Sequence, residues 1–247
     1  NTVKRDAVIL AGGFGTRMAS SFPNTPKSLI PVNGVPILEH IILECKKYGF
    51  DNILILVHHN KEQIINYFQD GTNWGVSLKY LFEEKPLGTG GALYQCVDLV
   101  RENFIILYAD VYSDLNLKDL MNFHIKSGNQ ITCVSHPNDH PFDSDILQAD
   151  VDGNLVKVCP HPHQEGLWLP NSVNAALYCG NKKAFSCMVP FEKFDIAQDY
   201  LNILITNGYN VGIYKTAEYI KDMGTQKRLK RVTNDIENQI TTSRSKV

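Results

Sequence analysis

The part of this chain best suited to chemistry is a glycine-rich turn followed by two cations at fixed spacing. Leu10-Ala11-Gly12-Gly13-Phe14-Gly15-Thr16-Arg17 follows a short apolar stretch, and Pro26-Lys27 places its lysine ten residues beyond the arginine. Glycine lets backbone N–H groups approach an anion closely, because no Cβ intervenes. Arg17 and Lys27 supply charge that a neutral backbone cradle lacks. Together they point to phosphate chemistry. The turn is not a dinucleotide fingerprint. Gly13-Phe14-Gly15-Thr16-Arg17-Met18 has methionine where the third glycine belongs, and Val57-His58 stands where an acidic residue is expected. Nor does it contain the Gly-Lys-Ser/Thr of a P-loop.

Two carboxylates stand out beyond the turn. Asp110 follows the apolar run 104–108, and Asp222 precedes Met223-Gly224-Thr225 near the end of the chain. An aspartate at a strand end serves a helix cap as readily as a metal. The eight histidines form no ligand pattern: His58-His59 are adjacent, and His161 and His163 lie in a proline-rich stretch. The six cysteines form no C-x-x-C pair, which reads as reduced thiols in a cytoplasmic protein.

The elements that must position these residues follow from hydrophobic periodicity. Strands are predicted over residues 6–11, 53–57, 77–82 and 104–108, with helices over 36–48, 61–69 and 89–100 between them. Strand–helix alternation of this kind predicts an α/β fold, a doubly wound, mostly parallel, Rossmann-like sheet. In such sheets ligands bind at the carboxyl ends of strands, where Gly12-Gly13 and Asp110 fall. In the second half, residues 146–151 and 155–158 flank Asp152-Gly153-Asn154 and predict a hairpin. A strand over 173–178, a helix over 195–207, a strand over 211–216 and a helix over 225–238 complete a small antiparallel substrate-binding lobe attached to the core.

At 247 residues, 43% apolar and 20% charged, the composition is that of a globular domain. A net charge of −2 argues against nonspecific nucleic-acid binding, which needs a basic face. A polyanionic substrate must therefore meet a local cluster of cations and a metal. No apolar run reaches the ~18–20 residues of a membrane span. The first apolar run ends at Gly12-Gly13 and is too short for a signal sequence.

The blocks quoted so far resemble the signature of sugar-1-phosphate nucleotidyltransferases. The likeness extends through Glu84-Lys85-Pro86-Leu87-Gly88-Thr89-Gly90-Gly91-Ala92, Asp110 and Lys221-Asp222-Met223-Gly224-Thr225, in family order over nearly the whole chain. It is strongest to the branch acting on D-glycero-D-manno-heptose 1-phosphate. Residues 136–145 (His-Pro-Asn-Asp-His-Pro-Phe-Asp-Ser-Asp) and Asn174-Ala175-Ala176-Leu177-Tyr178 resemble members fused to a HAD-type phosphatase. On that likeness residues 1–238 form the catalytic domain, and the polar stretch 239–247 is a tail or the start of a linker to a fused or partner phosphatase.

The resemblance implies an acceptor phosphate oxygen attacking the α-phosphorus of a nucleoside triphosphate, with pyrophosphate leaving in line. Two polyanions must be brought together, so positioning and charge neutralisation are the main devices. Leu10, Ala11, Gly12, Gly13, Gly15 and Thr16 would hold the triphosphate. Arg17 would stabilise the leaving pyrophosphate and Lys27 the α-phosphate. Asp110 and Asp222 would share Mg²⁺, which favours one or two carboxylates plus phosphate oxygens. Glu83, Pro86, Gly88 and Thr89 would contact base and ribose. Guanine presents two adjacent N–H donors that one carboxylate accepts together, so Glu83 or Glu84 leans toward guanine; either glutamate is also explained by solvation.

Three departures from the family pattern concern mainly the acceptor. Tyr108-Ala109-Asp110 replaces Asn-Gly-Asp, and Cys159-Pro160-His161-Pro162-His163 replaces the Glu-Lys-Pro block. Ala197-Gln198 replaces a Glu-Lys pair, with Asp199 retained. The sugar-phosphate candidates are thus Asn174, Asp199 and His161; His161 acts as a donor when protonated, or is an exposed loop residue. The expected activity is Mg²⁺-dependent guanylyl transfer to a heptose 1-phosphate, feeding capsule or surface-polysaccharide synthesis. The rivals are a cytidylyl- or uridylyltransferase on another acceptor, and a silent nucleotide-sensing module of the same fold; for the protein itself a homo-oligomer is left open.

Overall fold

The computed structural model describes residues 5–12, 22–58, 61–83, 87–185 and 192–241. Gly13, Gly15, Thr16, Arg17, Glu84 and Pro86 lie outside the described residues. In chain order the first elements are β1 (Asp6–Ala11), β2 (Pro31–Val32), β3 (Val35–Pro36), α1 (Ile37–Lys47), β4 (Asn52–Val57), α2 (Lys61–Phe68) and β5 (Ser77–Phe82). Next come α3 (Gly88–Tyr94), β6 (Asn103–Tyr108), β7 (Val111–Ser113), α4 (Leu117–Ser127), β8 (Ile131–His136), β9 (Ile146–Ala149) and β10 (Leu155–Cys159). The chain then forms β11 (Val173–Asn181), α5 (Leu201–Thr206), β12 (Val211–Lys215), β13 (Ile220–Asp222) and α6 (Gln226–Glu237). The chain divides into two compact units.

The first unit takes in the described residues up to Glu83, Leu107–Lys118 and the described residues from Glu218. β1, β4 and β5 run parallel, with Ala7 opposite Ile53 and Ile53 opposite Leu78. Ala7, Val8 and Ile9 and the β4 run Ile53–Val57 are essentially inaccessible, which is why their sequences are continuously apolar and do not alternate. Burying each valine, leucine or isoleucine among them contributes about 1.5–3 kcal/mol. α1 begins immediately after Pro36 and buries Ile37, Leu38, Ile41, Ile42 and Cys45, one stripe at helical spacing. β2 and β3 form a two-strand ribbon across Asn33-Gly34, both at positive φ (49° and 77°), the requirement of a tight hairpin turn. β7 and β13 form a second antiparallel ribbon, Asp222 opposite Val111. α6 is capped by Thr225, whose hydroxyl accepts from the Arg228 N–H.

The second unit is Leu87–Ile106 with Asp119–Ala217. β8 pairs antiparallel with β11 and parallel with β12, and β9 pairs antiparallel with β10 and β11. The predicted hairpin forms, with a longer connection than its Asp-Gly signal suggested. The Asp150 carboxylate accepts from the Asp152 and Asn154 N–H groups, each at 2.9 Å, and organises the whole turn. Two helices differ from the periodicity. The expected helix over 89–100 stops at Tyr94 and gives way to a 3₁₀ turn over Val97–Leu99; two glycines and the β-branched Val97 and Val100 make it a poor helix former. The expected helix over 195–207 opens as a π-helical turn, Ile196–Tyr200, before becoming α5.

Among the described residues, no helix is long and apolar enough to cross a membrane. Cys45, Cys96, Cys133, Cys159 and Cys179 are buried and form no disulfide among the described residues, and burial raises the Cys133 and Cys179 thiols well above their ordinary range. Within the expected tail, Thr241 is buried and its hydroxyl donates to the Asp114 carboxylate, while Ile240 stays exposed.

Candidate active site

In the first unit the site is built at the ends of β1, β5 and the β7–β13 ribbon. The Leu10 carbonyl, near the end of β1, accepts the Ala109 N–H at 3.0 Å. That bond fixes the short turn from which Asp110 projects. The Asp110 carbonyl accepts the Met223 N–H at 2.8 Å, and Asp222 lies opposite Val111. Two aspartates more than a hundred residues apart thus occupy neighbouring backbone positions.

Each carboxylate is paired with a cation. The Lys27 ammonium donates to Asp110 Oδ2; the two side chains are 17% and 29% exposed. Lys27 is held in a 3₁₀ turn, Lys27–Leu29, entered through Pro26, whose carbonyl accepts the Leu29 N–H at 2.8 Å. Asp222 is held twice: Oδ1 accepts the Gly224 N–H at 2.6 Å, and Oδ2 accepts from the Arg228 guanidinium. The sequence reading missed Arg228. A signal for it existed, since the third position after a helix-capping threonine usually carries Glu or Gln, and an arginine there opposes the helix dipole.

Glu83 follows β5 and its carboxylate lies beside Gly12. A Cβ on Gly12 would stand 2.7 Å from Glu83 Oε2, so glycine at that position makes room for the carboxylate. His58 fixes the same stretch from the end of β4, its Nδ1 lying 2.8 Å from the Glu83 carbonyl. Leu10, Ala11, Gly12, Lys27, Glu83, Asp110 and Asp222 are therefore gathered in one unit. Asp110 and Asp222 are the two expected metal ligands, and each is engaged by a cation. Among the described residues, no group of three or more His, Cys, Asp and Glu side chains is set to hold a metal.

The remaining candidates lie in the second unit. Gly88 has φ +72°, and a Cβ there would meet the Phe194 carbonyl at 2.5 Å. Thr89 Oγ1 donates to Asp195 Oδ2 and accepts the Ile196 N–H, both at 2.9 Å. The Leu87–Gly91 turn is thereby fastened to residues 192–196. Asp199 Oδ2 accepts the Asp195 N–H at 2.7 Å, while Asp195 Oδ1 accepts from Ala197 and Gln198. This is a reciprocal helix cap.

His161 and Asn174 converge on Asp145, to which the sequence reading gave no role. Asp145 Oδ1 lies 3.1 Å from both the His161 backbone nitrogen and Nδ1, and the Asp145 carbonyl accepts the Asn174 N–H at 2.9 Å. The His161 side chain is 48% exposed. Asn174 also has local work. Its Nδ2 donates to the Tyr178 hydroxyl at 2.7 Å, and its Oδ1 accepts the N–H of Ala176, which sits at φ +55° in a bulge of β11.

A parallel α/β unit with two carboxylates, each joined to a cation, near the carboxyl ends of its strands has its site where open α/β sheets bind ligands. The chain belongs to the nucleotidyl transferase family, whose model matches residues 6–239. It is 30% identical over 224 residues to the bifunctional protein GlmU of Methanococcus maripaludis, covering 89% of this chain and 51% of that one. It is 26% identical over 236 residues to a D-glycero-alpha-D-manno-heptose 1-phosphate guanylyltransferase of Aneurinibacillus thermoaerophilus, covering 95% of this chain and all of that one. The chain thus spans about half the length of the GlmU relatives it matches. Among solved structures, HddC from Yersinia pseudotuberculosis superposes with a TM-score of 0.80 at 22% identity, covering 94% of this chain and 99% of that one. That likeness concerns the fold.

Proposed function

We propose that this chain transfers a nucleotidyl group from a nucleoside triphosphate, GTP foremost, to a sugar 1-phosphate, with D-glycero-D-manno-heptose 1-phosphate as the leading acceptor. The acceptor's phosphate oxygen forms a bond to the α-phosphorus, the bond to the β-phosphate bridging oxygen breaks, and pyrophosphate leaves with that electron pair. The observation that carries the reading is the convergence of Asp110, Asp222 and Lys27, contributed by three distant stretches, at the end of the strand that leads into the glycine turn.

The donor set fits Mg²⁺. Two carboxylates offer hard oxygens, and the cations that now engage them mark a place where positive charge is favourable. When bound, Mg²⁺ supplies charge neutralisation for the phosphates. Lys27 lies against Asp110, and in this reading it bears on the α-phosphate. Arg17, by family resemblance, bears on the departing pyrophosphate. Neither needs to transfer a proton. The Glu83 carboxylate beside Gly12 supports guanine, since it can accept from two adjacent N–H groups where uracil offers one. His161, held by Asp145, stands in the block where relatives carry lysine and is the donor proposed for the acceptor phosphate.

A pyrophosphate-release screen tests the proposal, crossing GTP, CTP, UTP, ATP and dTTP with a panel of sugar 1-phosphates, with and without Mg²⁺. Release with GTP and a heptose 1-phosphate is expected. Release with UTP or CTP alone retains the reaction and rejects the role of Glu83. Nucleotide binding without release under every pairing rejects the transferase reading in favour of a sensor.

A further inference from the structure

We propose that Arg228 is a positioning residue that occupies Asp222 in the absence of metal and yields it when metal arrives with nucleotide, so that the two bind as a coupled pair. The inference rests on the assignment of Asp110 and Asp222 to a divalent cation. It starts from the state of the two carboxylates. Asp222 Oδ1 is committed to the Gly224 N–H at 2.6 Å and Oδ2 to Arg228, while Asp110 Oδ2 is committed to Lys27.

A divalent cation entering alone must displace a guanidinium and an ammonium that already neutralise its ligands. Much of its attraction to the carboxylates is thereby offset. A polyphosphate changes the balance, because its oxygens accept from both displaced cations; arginine in particular matches phosphate with a planar fork of donors. Metal and nucleotide then each raise the other's affinity, as linkage requires.

The placement of Arg228 sets this contact apart from ordinary helix capping. The first turn of α6 contains Lys227 and Arg228 and no acidic residue. Cations there oppose the partial positive charge of a helix N-terminus. Thr225 caps the helix, and Arg228 takes the position at which Glu or Gln would complete a capping box. Helix stability alone disfavours arginine at this position. Its engagement of Asp222 supplies the reason for it.

The test is calorimetric titration of the full chain with Mn²⁺, alone and then with GTP present but no sugar phosphate, in wild type, Arg228→Gln, Arg228→Lys and Asp222→Asn. Arg228→Gln should bind Mn²⁺ alone about three- to tenfold tighter than wild type, the range for a partly exposed competing charge. The enhancement of Mn²⁺ binding by GTP should shrink by a similar factor, and Arg228→Lys should stay near wild type. If the glutamine variant melts, Arg228→Met keeps the apolar stem and takes its place. Mn²⁺ affinity that does not change in the folded variant, while Asp222→Asn loses binding, overturns the role of Arg228 and leaves the metal assignment standing. Binding that Asp222→Asn retains overturns both, as does an absence of Mn²⁺ binding in every variant.

Discussion

The backbone N–H of Met223 donates to the carbonyl of Asp110 at 2.8 Å. This bond continues the β7–β13 ribbon by one residue and sets Asp222 beside the turn that carries Asp110. No local signal links the two aspartates; the ribbon brings them to neighbouring backbone positions. Asp110→Asn and Asp222→Asn should each lower pyrophosphate release by about 100-fold or more, the scale of losing a charge at a phosphoryl-transfer centre. Both pairs are partly exposed, so stability should change by about 1 kcal/mol or less. Release assays with thermal melts check this, and near-normal turnover in either folded variant removes that carboxylate from the site.

Glu83 and Gly12 are linked by space. A methyl group at Gly12 would stand 2.7 Å from Glu83 Oε2 and force the carboxylate aside. Gly12→Ala and Glu83→Gln should therefore act on the same property, each cutting the preference for GTP over UTP by about tenfold, within the range for a charged hydrogen bond. Because they share a target, the double variant should lose less than the product of the two. Values of kcat/KM for GTP and UTP in the four proteins decide it; independent, multiplying effects would separate Gly12 from Glu83.

His124 is 1% exposed, with Nδ1 2.8 Å from Thr132 Oγ1 and no partner for Nε2 among the described residues. Burial pushes its pKa down to about 4, against about 6.5 in an unfolded chain. Between those values the unfolded state binds more protons, so stability falls as pH drops from about 6.5 toward 4. At pH 5 the loss from this site is about 2 kcal/mol. The urea midpoint of wild type should drop between pH 7.5 and pH 5, and that of His124→Gln should drop less. Equal drops in the two proteins would falsify the assignment.

Asn174 supports Ala176, a non-glycine residue at φ +55°. Ala176→Gly should stabilise the fold by about 1 kcal/mol, the cost of that conformation for an L-residue. Asn174→Ala should destabilise it by about 1–3 kcal/mol through the Ala176 N–H and Tyr178 hydroxyl left without it. If Asn174 also touches the acceptor, KM for the sugar phosphate rises in Asn174→Ala and stays unchanged in Ala176→Gly. Denaturant curves and acceptor titrations read the two roles separately.

Legibility followed element length and burial. β1, β4 and α1 fall within about a residue of their predicted bounds, because a strand buried on both faces is written as an apolar run and a helix as a 3.6-residue stripe; β5 matches its bounds too, although Ser77, Lys79 and Phe82 are exposed. The ribbons are too short to show a period. Asn33-Gly34 between Val32 and Val35 was a readable hairpin signal that went unused, whereas β7 and β13 carry no such turn, being joined only through the intervening chain. The glycines at 88, 90 and 91 were visible as a turn, but their close neighbours Phe194 and Glu192 lie about a hundred residues away.

The sequence by itself determined the reaction chemistry it could support: a glycine turn, spaced cations and isolated carboxylates are local facts, and phosphate chemistry follows from residue types. It also determined the alternating core, because backbone geometry imposes its period on the positions of apolar residues. Tertiary structure alone decided which groups engage one another. Asp110 meets Lys27, Asp222 comes to lie beside the Asp110 turn, and Asp145 joins His161 to Asn174. Each pairing depends on strand register and on where long connections return, and those are set by the packing of the whole unit, to which no short window of sequence has access.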